Sequence, residues 1–179
     1  ADLMFMPDVS APGGQIYSTY PLEQGGYDTA SGTSMSAPHA AGAAALLLEA
    51  DPDLSVEGVK LRLQNSSEPV PFDDASGLLE VVHRQGSGLI QVDDAIEAET
   101  LIDPSLVQLG QQPAGATTTQ TVTVHNFSDT EQVFTLSHTP AVATAGTAND
   151  FGYYLWDAAV THPETVAVPA GGSAPVEVA

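Results

Sequence analysis

The sequence predicts an α/β region followed by an all-β region, and three observations carry that prediction. Near position 101 the composition changes from glycine-rich turns and helical patterns to Thr, Val, Gly and Pro. MSAPHAAGAAALLLE (35–49) is a run of strong helix formers. TQTVTVHNF (119–127) alternates apolar and polar residues with the period of a strand.

In the first region, VSAPGGQIYSTYP (9–21) reads as a loop and then a short strand. The helix over 35–49 is almost wholly apolar, which predicts burial on all sides. Asp51-Pro52 ends it, because the residue before proline is pushed out of the α region. Ser55 is placed to cap a second helix over 56–64, whose Val59 and Leu63 stand four apart on one face. GLLEVV (77–82) reads as a strand and VDDAIEAE (92–99) as a short helix.

In the second region, Val122 and Val124 share one strand face, opposite Thr121, Thr123 and His125. SDTE turns the chain into QVFTLSH (132–138), where Phe134 and Leu136 share a face, so the two strands predict a hairpin with one wet side. TVAVP and APVEVA add short strands, and the evenly spaced set predicts a β-sandwich. About 78 residues follow position 101, against about 100 for a full immunoglobulin-like sandwich, so this module is expected to be incomplete.

Charge narrows the partners. Twenty-three acids face three bases, Lys60, Arg62 and Arg84, for a net charge of −20. Such a surface repels nucleic acid and anionic membranes, which argues against both. It suits solubility at high salt, and a saline habitat is one reading of it. Without cysteine there is no disulfide framework and no thiolate metal site. The longest run of small and apolar residues, Ala40 to Leu48, is too short to span a membrane. No basic segment precedes an apolar one near Ala1, so no signal peptide is visible and Ala1 reads as an internal cut.

SGTSMSAPHAAGAAALLLEA (31–50) sets Ser34 between a glycine turn and a helix. Serine there is a favoured N-cap. It also suits a nucleophile, since free N–H groups and the positive end of the helix dipole stabilise a forming oxyanion. GTSMSAPHAAG (32–42) closely resembles the serine motif of subtilisin-like serine peptidases. PDVSAPG (7–13), IYSTYP (16–21) and GSGLIQVDDAI (86–96) resemble further segments of that family in the right order. The resemblance implies that residues 1–101 are the C-terminal portion of a subtilisin-like, parallel-sheet α/β catalytic domain. It implies Ser34 as the nucleophile, its own N–H as an oxyanion donor, and Pro38 and His39 as structural members of the motif. Ser31 stands where the family often has asparagine, which is expected to affect loop detail rather than mechanism. For Asp8 the resemblance raises a weak calcium or sodium site, against a solvated loop carboxylate; it implies no other cofactor.

A serine hydroxyl needs a base beside it. His39, five residues along a helix, lies about 7.5 Å up the axis and roughly 140° round from Ser34, so it points elsewhere. His83, His125, His138 and His162 read as packed or solvated residues. In the family's chain order the aspartate and histidine precede the serine. Both would lie upstream of Ala1, since no Asp-Thr/Ser-Gly or His-Gly-Thr motif occurs in these residues. The 179 residues alone are therefore expected to be inactive, and residues 1–101 to fold with upstream polypeptide as their partner.

LIDPSLVQLG with TTTQTVTVHNFSDTEQVFTLS resembles the fibronectin-type-III-like domain of cell-envelope proteinase-type enzymes, over 102–179; the resemblance implies a module that braces the catalytic domain or helps position substrate, and bracing is the reading preferred. Trp156, beside Tyr153 and Tyr154, is expected in the sandwich core or the interdomain seam, the alternative being an exposed aromatic patch for protein or sugar. Asn65-Ser66-Ser67 and Asn126-Phe127-Ser128 are glycosylation sequons, expected to be unmodified. Asp93, Asp94, Glu97 and Glu99 read as an exposed helix face, without EF-hand ligand spacing. The resemblance thus implies a secreted serine endopeptidase acting on protein or peptide substrates. The alternative is a non-catalytic binding or scaffold protein on a decayed subtilisin-like fold, with Ser34 only a cap.

Overall fold

The computed structural model describes residues 6–147, 150–155 and 159–179, with Phe151 described by its backbone alone; Trp156 lies outside the described residues. Strands β1 (Ile16–Thr19) and β2 (Tyr27–Ala30) form an antiparallel ribbon that leads into helix α1 (Thr33–Ala50). Helix α2 (Val56–Ser66) starts as its sequence predicts, with the Ser55 hydroxyl accepting the Gly58 N–H at 3.0 Å. Helices α3 (Val82–Gln85) and α4 (Val92–Glu97) are short.

Ala43 and Leu47 of α1 meet Leu63 of α2, Ile90 and Ala95 in the core of this region. The expected burial of α1 on all sides does not hold among the described residues. Leu46 is 49% exposed and Leu48 43%, because α2 and α4 cover one stripe of the helix only. The predicted strand at 77–82 is also absent. Leu79 makes single bridges to Pro71 and Ala141, the first closed by the Phe72 N–H on Leu78 and the Glu80 N–H on Val70, and from Val82 the chain turns into α3, so the pairing stops at one bridge on each side. Pairing between named strands is antiparallel throughout. Parallel contacts are the isolated bridges of Ser10 to Leu89 and of Leu79 to Ala141, so the described residues form a mixed fold without the extended parallel sheet that was expected.

Gly88 shows why its motif needs glycine. Its φ is +128°, and a Cβ there would meet the Glu68 carbonyl and approach Pro69 N to 2.6 Å. In the complete protein, Gly88→Ala is expected to cost about 3 kcal/mol, from backbone strain plus a contact that neither backbone can relieve. Urea unfolding of variant and parent measures it.

Strands β3 (Thr100–Asp103), β4 (Gln120–Asn126) and β9 (Ser173–Val178) form one sheet in the order β3-β4-β9. Strand β5 (Gln132–Thr135) pairs with β8 (Thr165–Val168), and β6 (Ala143–Thr147) with β7 (Asp150–Tyr154). Val122, Val124 and Val176 of the first sheet pack with Val168, Phe134 and Val166 of the second, which is sandwich packing. The alternation in β4 and β5 reads correctly; the hairpin does not. Strand β4 pairs with β3 and β9 while β5 pairs with β8, so SDTE carries the chain across the sandwich rather than back along the same sheet.

Asn126 fixes that crossing. Its side chain is buried, and Nδ2 donates to the carbonyls of Thr130 (2.8 Å), Val168 (3.1 Å) and Pro169 (3.1 Å). Oδ1 accepts the N–H and hydroxyl of Ser128. The other sequon is also engaged: Asn65 Nδ2 donates to Leu61 and Ile102 carbonyls, and its Oδ1 accepts the Ile102 N–H at 2.7 Å. Both amides therefore serve as structural ties between elements.

The two regions meet directly. Leu79 gives its N–H to the Pro140 carbonyl and accepts the Val142 N–H at 2.9 Å. The Tyr153 ring lies 5.0 Å from that of Phe72 and 5.4 Å from the Arg84 guanidinium. Arg62 donates to the carbonyls of Ala95 and Ala98 at the end of α4. With Lys60 paired to Asp8, all three cations of the chain are engaged in joining elements.

Candidate active site

Ser34 is the second residue of α1 and is exposed. The N-cap is Gly32, with no side-chain capping bond, so Ser34 does not have the capping role weighed for it. At that place the first-turn N–H groups, which have no acceptor four residues earlier, and the positive end of the helix dipole lie beside its hydroxyl. Pro38, four residues on, has no N–H to give the Ser34 carbonyl.

The turn in front of the serine is gripped from one side. Gly32 has φ +152°, within reach of glycine, and donates its N–H to the Gly13 carbonyl at 2.8 Å. Ser31 Oγ accepts the Gln15 N–H at 2.8 Å and the Gln15 side-chain amide at 3.3 Å. Gly13 packs so closely that a Cβ would meet Ser36 Oγ and stand 2.8 Å from the Gly32 carbonyl.

None of the histidines joins Ser34 among the described residues. His39 Nδ1 lies 2.7 Å from the Met35 carbonyl, one turn back on its own helix, and His162 Nδ1 lies 2.8 Å from the Pro163 carbonyl. His83 is in α3, His125 in β4 stacked on Phe127, and His138 follows β5. The exposure of Asp93, Asp94, Glu97 and Glu99 is as their sequence predicts.

Asp8 is committed elsewhere. Its Oδ1 lies 2.8 Å from Lys60 Nζ and accepts from Gln64 Nε2 at 3.3 Å. The buried Gln64 in turn accepts the Ser105 hydroxyl at 2.6 Å, linking the Asp8 loop to the chain just past β3. Among the described residues no group of three His, Asp or Glu side chains could hold a metal ion. Lys60 thus supplies an ammonium partner for the Asp8 carboxylate. Sequence reasoning missed both the Gln15–Ser31 pair and the Gln64 tie. Ser31 in the asparagine position was a signal for the first; nothing in the sequence marks the second.

Residues 1–88 match the Subtilase family, and residues 107–179 match an Fn3-like domain. The chain is 34% identical to the minor extracellular protease Vpr of Bacillus subtilis (strain 168), over 81% of this chain and 19% of that protein. It is 29% identical to the PII-type proteinase of Lactococcus lactis subsp. cremoris, over 99% of this chain and 11% of the proteinase. Subtilisin DY of Bacillus licheniformis is 43% identical over 41% of this chain and 27% of that enzyme. The chain thus spans between about a tenth and about a quarter of the length of these relatives. No helix among the described residues is long and apolar enough to cross a membrane. The chain thus matches the Subtilase family in its first region and an Fn3-like domain behind that segment.

Proposed function

We propose that this chain is the serine-bearing part of a secreted subtilisin-like endopeptidase that hydrolyses peptide bonds of protein or peptide substrates through an acyl-enzyme on Ser34. Residues 1–101 are the C-terminal portion of a parallel-sheet catalytic domain, and 102–179 the Fn3-like module. The observation that carries the reading is an exposed serine in the first turn of α1, within the family's serine motif, whose hydroxyl is not used as a cap.

Ser34 Oγ attacks the scissile carbonyl and gives its proton to a histidine base. That histidine and its aspartate belong to upstream polypeptide of the same protein. The Ser34 N–H and the helix dipole favour the oxyanion of the tetrahedral intermediate. Collapse expels the amine, which takes the proton from the histidine, and water then releases the acyl group by the same route. This chemistry draws on side chains and backbone alone, so the reading includes no cofactor. Asp8 is the ion-pair partner of Lys60 rather than a cation ligand. The name of the Vpr relative, an extracellular protease, supports secretion. Bracing by the Fn3-like module is supported by the Leu79 bridge and the Tyr153 contacts with Phe72 and Arg84.

A fluorophosphonate probe tests the reading in the complete protein. Phosphonylation mapped by mass spectrometry to Ser34 is the expected result. A protein that hydrolyses peptides with Ser34 unmodified by the probe overturns it.

A further inference from the structure

We propose that Ser31 and Gln15 form a latch that holds Ser34 in register for attack, which makes Ser31 a positioning residue; the inference rests on Ser34 being the nucleophile. Helix α1 has no capping side chain, so its first turn must be fixed from outside. The loop at 13–15 does this at three points. Gly13 accepts the Gly32 N–H, Gln15 donates backbone and side-chain N–H groups to Ser31 Oγ, and Gly13 packs onto Ser36 of the helix.

Gln15 makes the purpose of the contact plain. It is a non-glycine residue with φ +54°, a conformation that residues with side chains seldom adopt. In that conformation both its main-chain N–H and its side-chain amide converge on the single Ser31 oxygen. Only Gly32 and Thr33 separate the latched residue from Ser34, and Gly32 is the least constrained residue type in a chain. Without the latch, slack in Gly32 passes straight to the nucleophile. Displacing a reacting group by about 1 Å can cost about a hundredfold in rate. A partial loosening is therefore expected to show in the rate of attack before it shows in binding.

The experiment uses the complete protein and counts active sites with the fluorophosphonate, so that only competent molecules enter kcat. Ser31→Ala is expected to lower kcat per titrated site about tenfold, with KM within about twofold of the parent. Ser31→Asn and Ser31→Thr each retain an acceptor oxygen, and at least one is expected to restore kcat to within about twofold. A purely structural role gives a different pattern: fewer titratable sites and a lower Tm, with kcat per site unchanged. That pattern overturns the proposal, as does an unchanged kcat in Ser31→Ala with full site count. If Ser31→Ala gives no titratable sites, Ser31→Cys, whose sulfur is a weak acceptor, is judged by the same criteria. Ser34→Ala run in parallel separates the two readings. Residual hydrolysis or labelling there defeats the nucleophile assignment, whereas an inactive Ser34→Ala beside an unaffected Ser31→Ala defeats the latch alone.

Discussion

Ser34→Ala in the complete protein is expected to lower kcat toward peptides by about 10⁶-fold, a magnitude set by subtilisin, a relative, rather than by this chain's geometry. On the proposed mechanism the size follows from the triad acting as a unit: with no nucleophile, the base and the oxyanion donors have nothing to activate or stabilise. Stability should move by no more than about 0.5 kcal/mol, since the side chain is exposed and makes no capping bond. That combination separates chemistry from structure. A drop in activity accompanied by a large fall in Tm would point instead to a folding role for the hydroxyl, and activity within tenfold of the parent would remove Ser34 from the mechanism. Steady-state kinetics with thermal unfolding on the same preparation gives both readings.

Asn126→Ala is expected to be the most damaging single change in the β-rich region, at about 3–5 kcal/mol. The buried amide donates to the carbonyls of Thr130, Val168 and Pro169 and receives two hydrogen bonds from Ser128. Truncation takes the donor from all three carbonyls at once and opens a cavity in the seam; the Val168 carbonyl is the one buried deepest, and each buried group left unpaired costs about 1–3 kcal/mol. Asn126→Asp makes the sharper control. It keeps the shape and the acceptor for Ser128, but turns a carboxylate oxygen towards carbonyls that need a donor. A loss at least as large as that of Ala near neutral pH is expected. Urea unfolding followed by circular dichroism gives the values, and a cost below about 1 kcal/mol for either variant would mean the crossing is held by other contacts.

Much of this was legible in the sequence, for reasons that differ by element. Helix α1 ends at Ala50 as Asp51-Pro52 requires, and α2 begins at its Ser55 cap, because these are local rules acting on adjacent residues. The faces of β4 and β5 were readable because one side of each meets the core and the other does not. Their partners were not readable. A short polar turn between two alternating strands fits a hairpin and an arch equally, and what decides between them is the buried amide of Asn126, which in sequence reads as a glycosylation site. The strand expected at 77–82 failed similarly: its apolar pattern reflects the single bridges of Leu79 and the burial of Val81, not a ladder. At the site, the serine motif pointed to Ser34, which is exposed in the first turn of α1. The contact from Gln15 was hidden, since it depends on a positive φ that no residue type announces.

The order β3-β4-β9 has a consequence for biosynthesis. Strand β4 occupies the middle of its sheet, yet one of its two edges is completed by residues 173–178, some fifty positions later in the chain. As the polypeptide leaves the ribosome, Val122 and Val124 emerge well before Val176 is translated to pack with them. A waiting strand with an open edge is the kind of surface that chaperones recognise and that neighbouring nascent chains can capture. The serine-bearing helix, whose partners in α2 and α4 follow closely behind it, faces a far shorter delay.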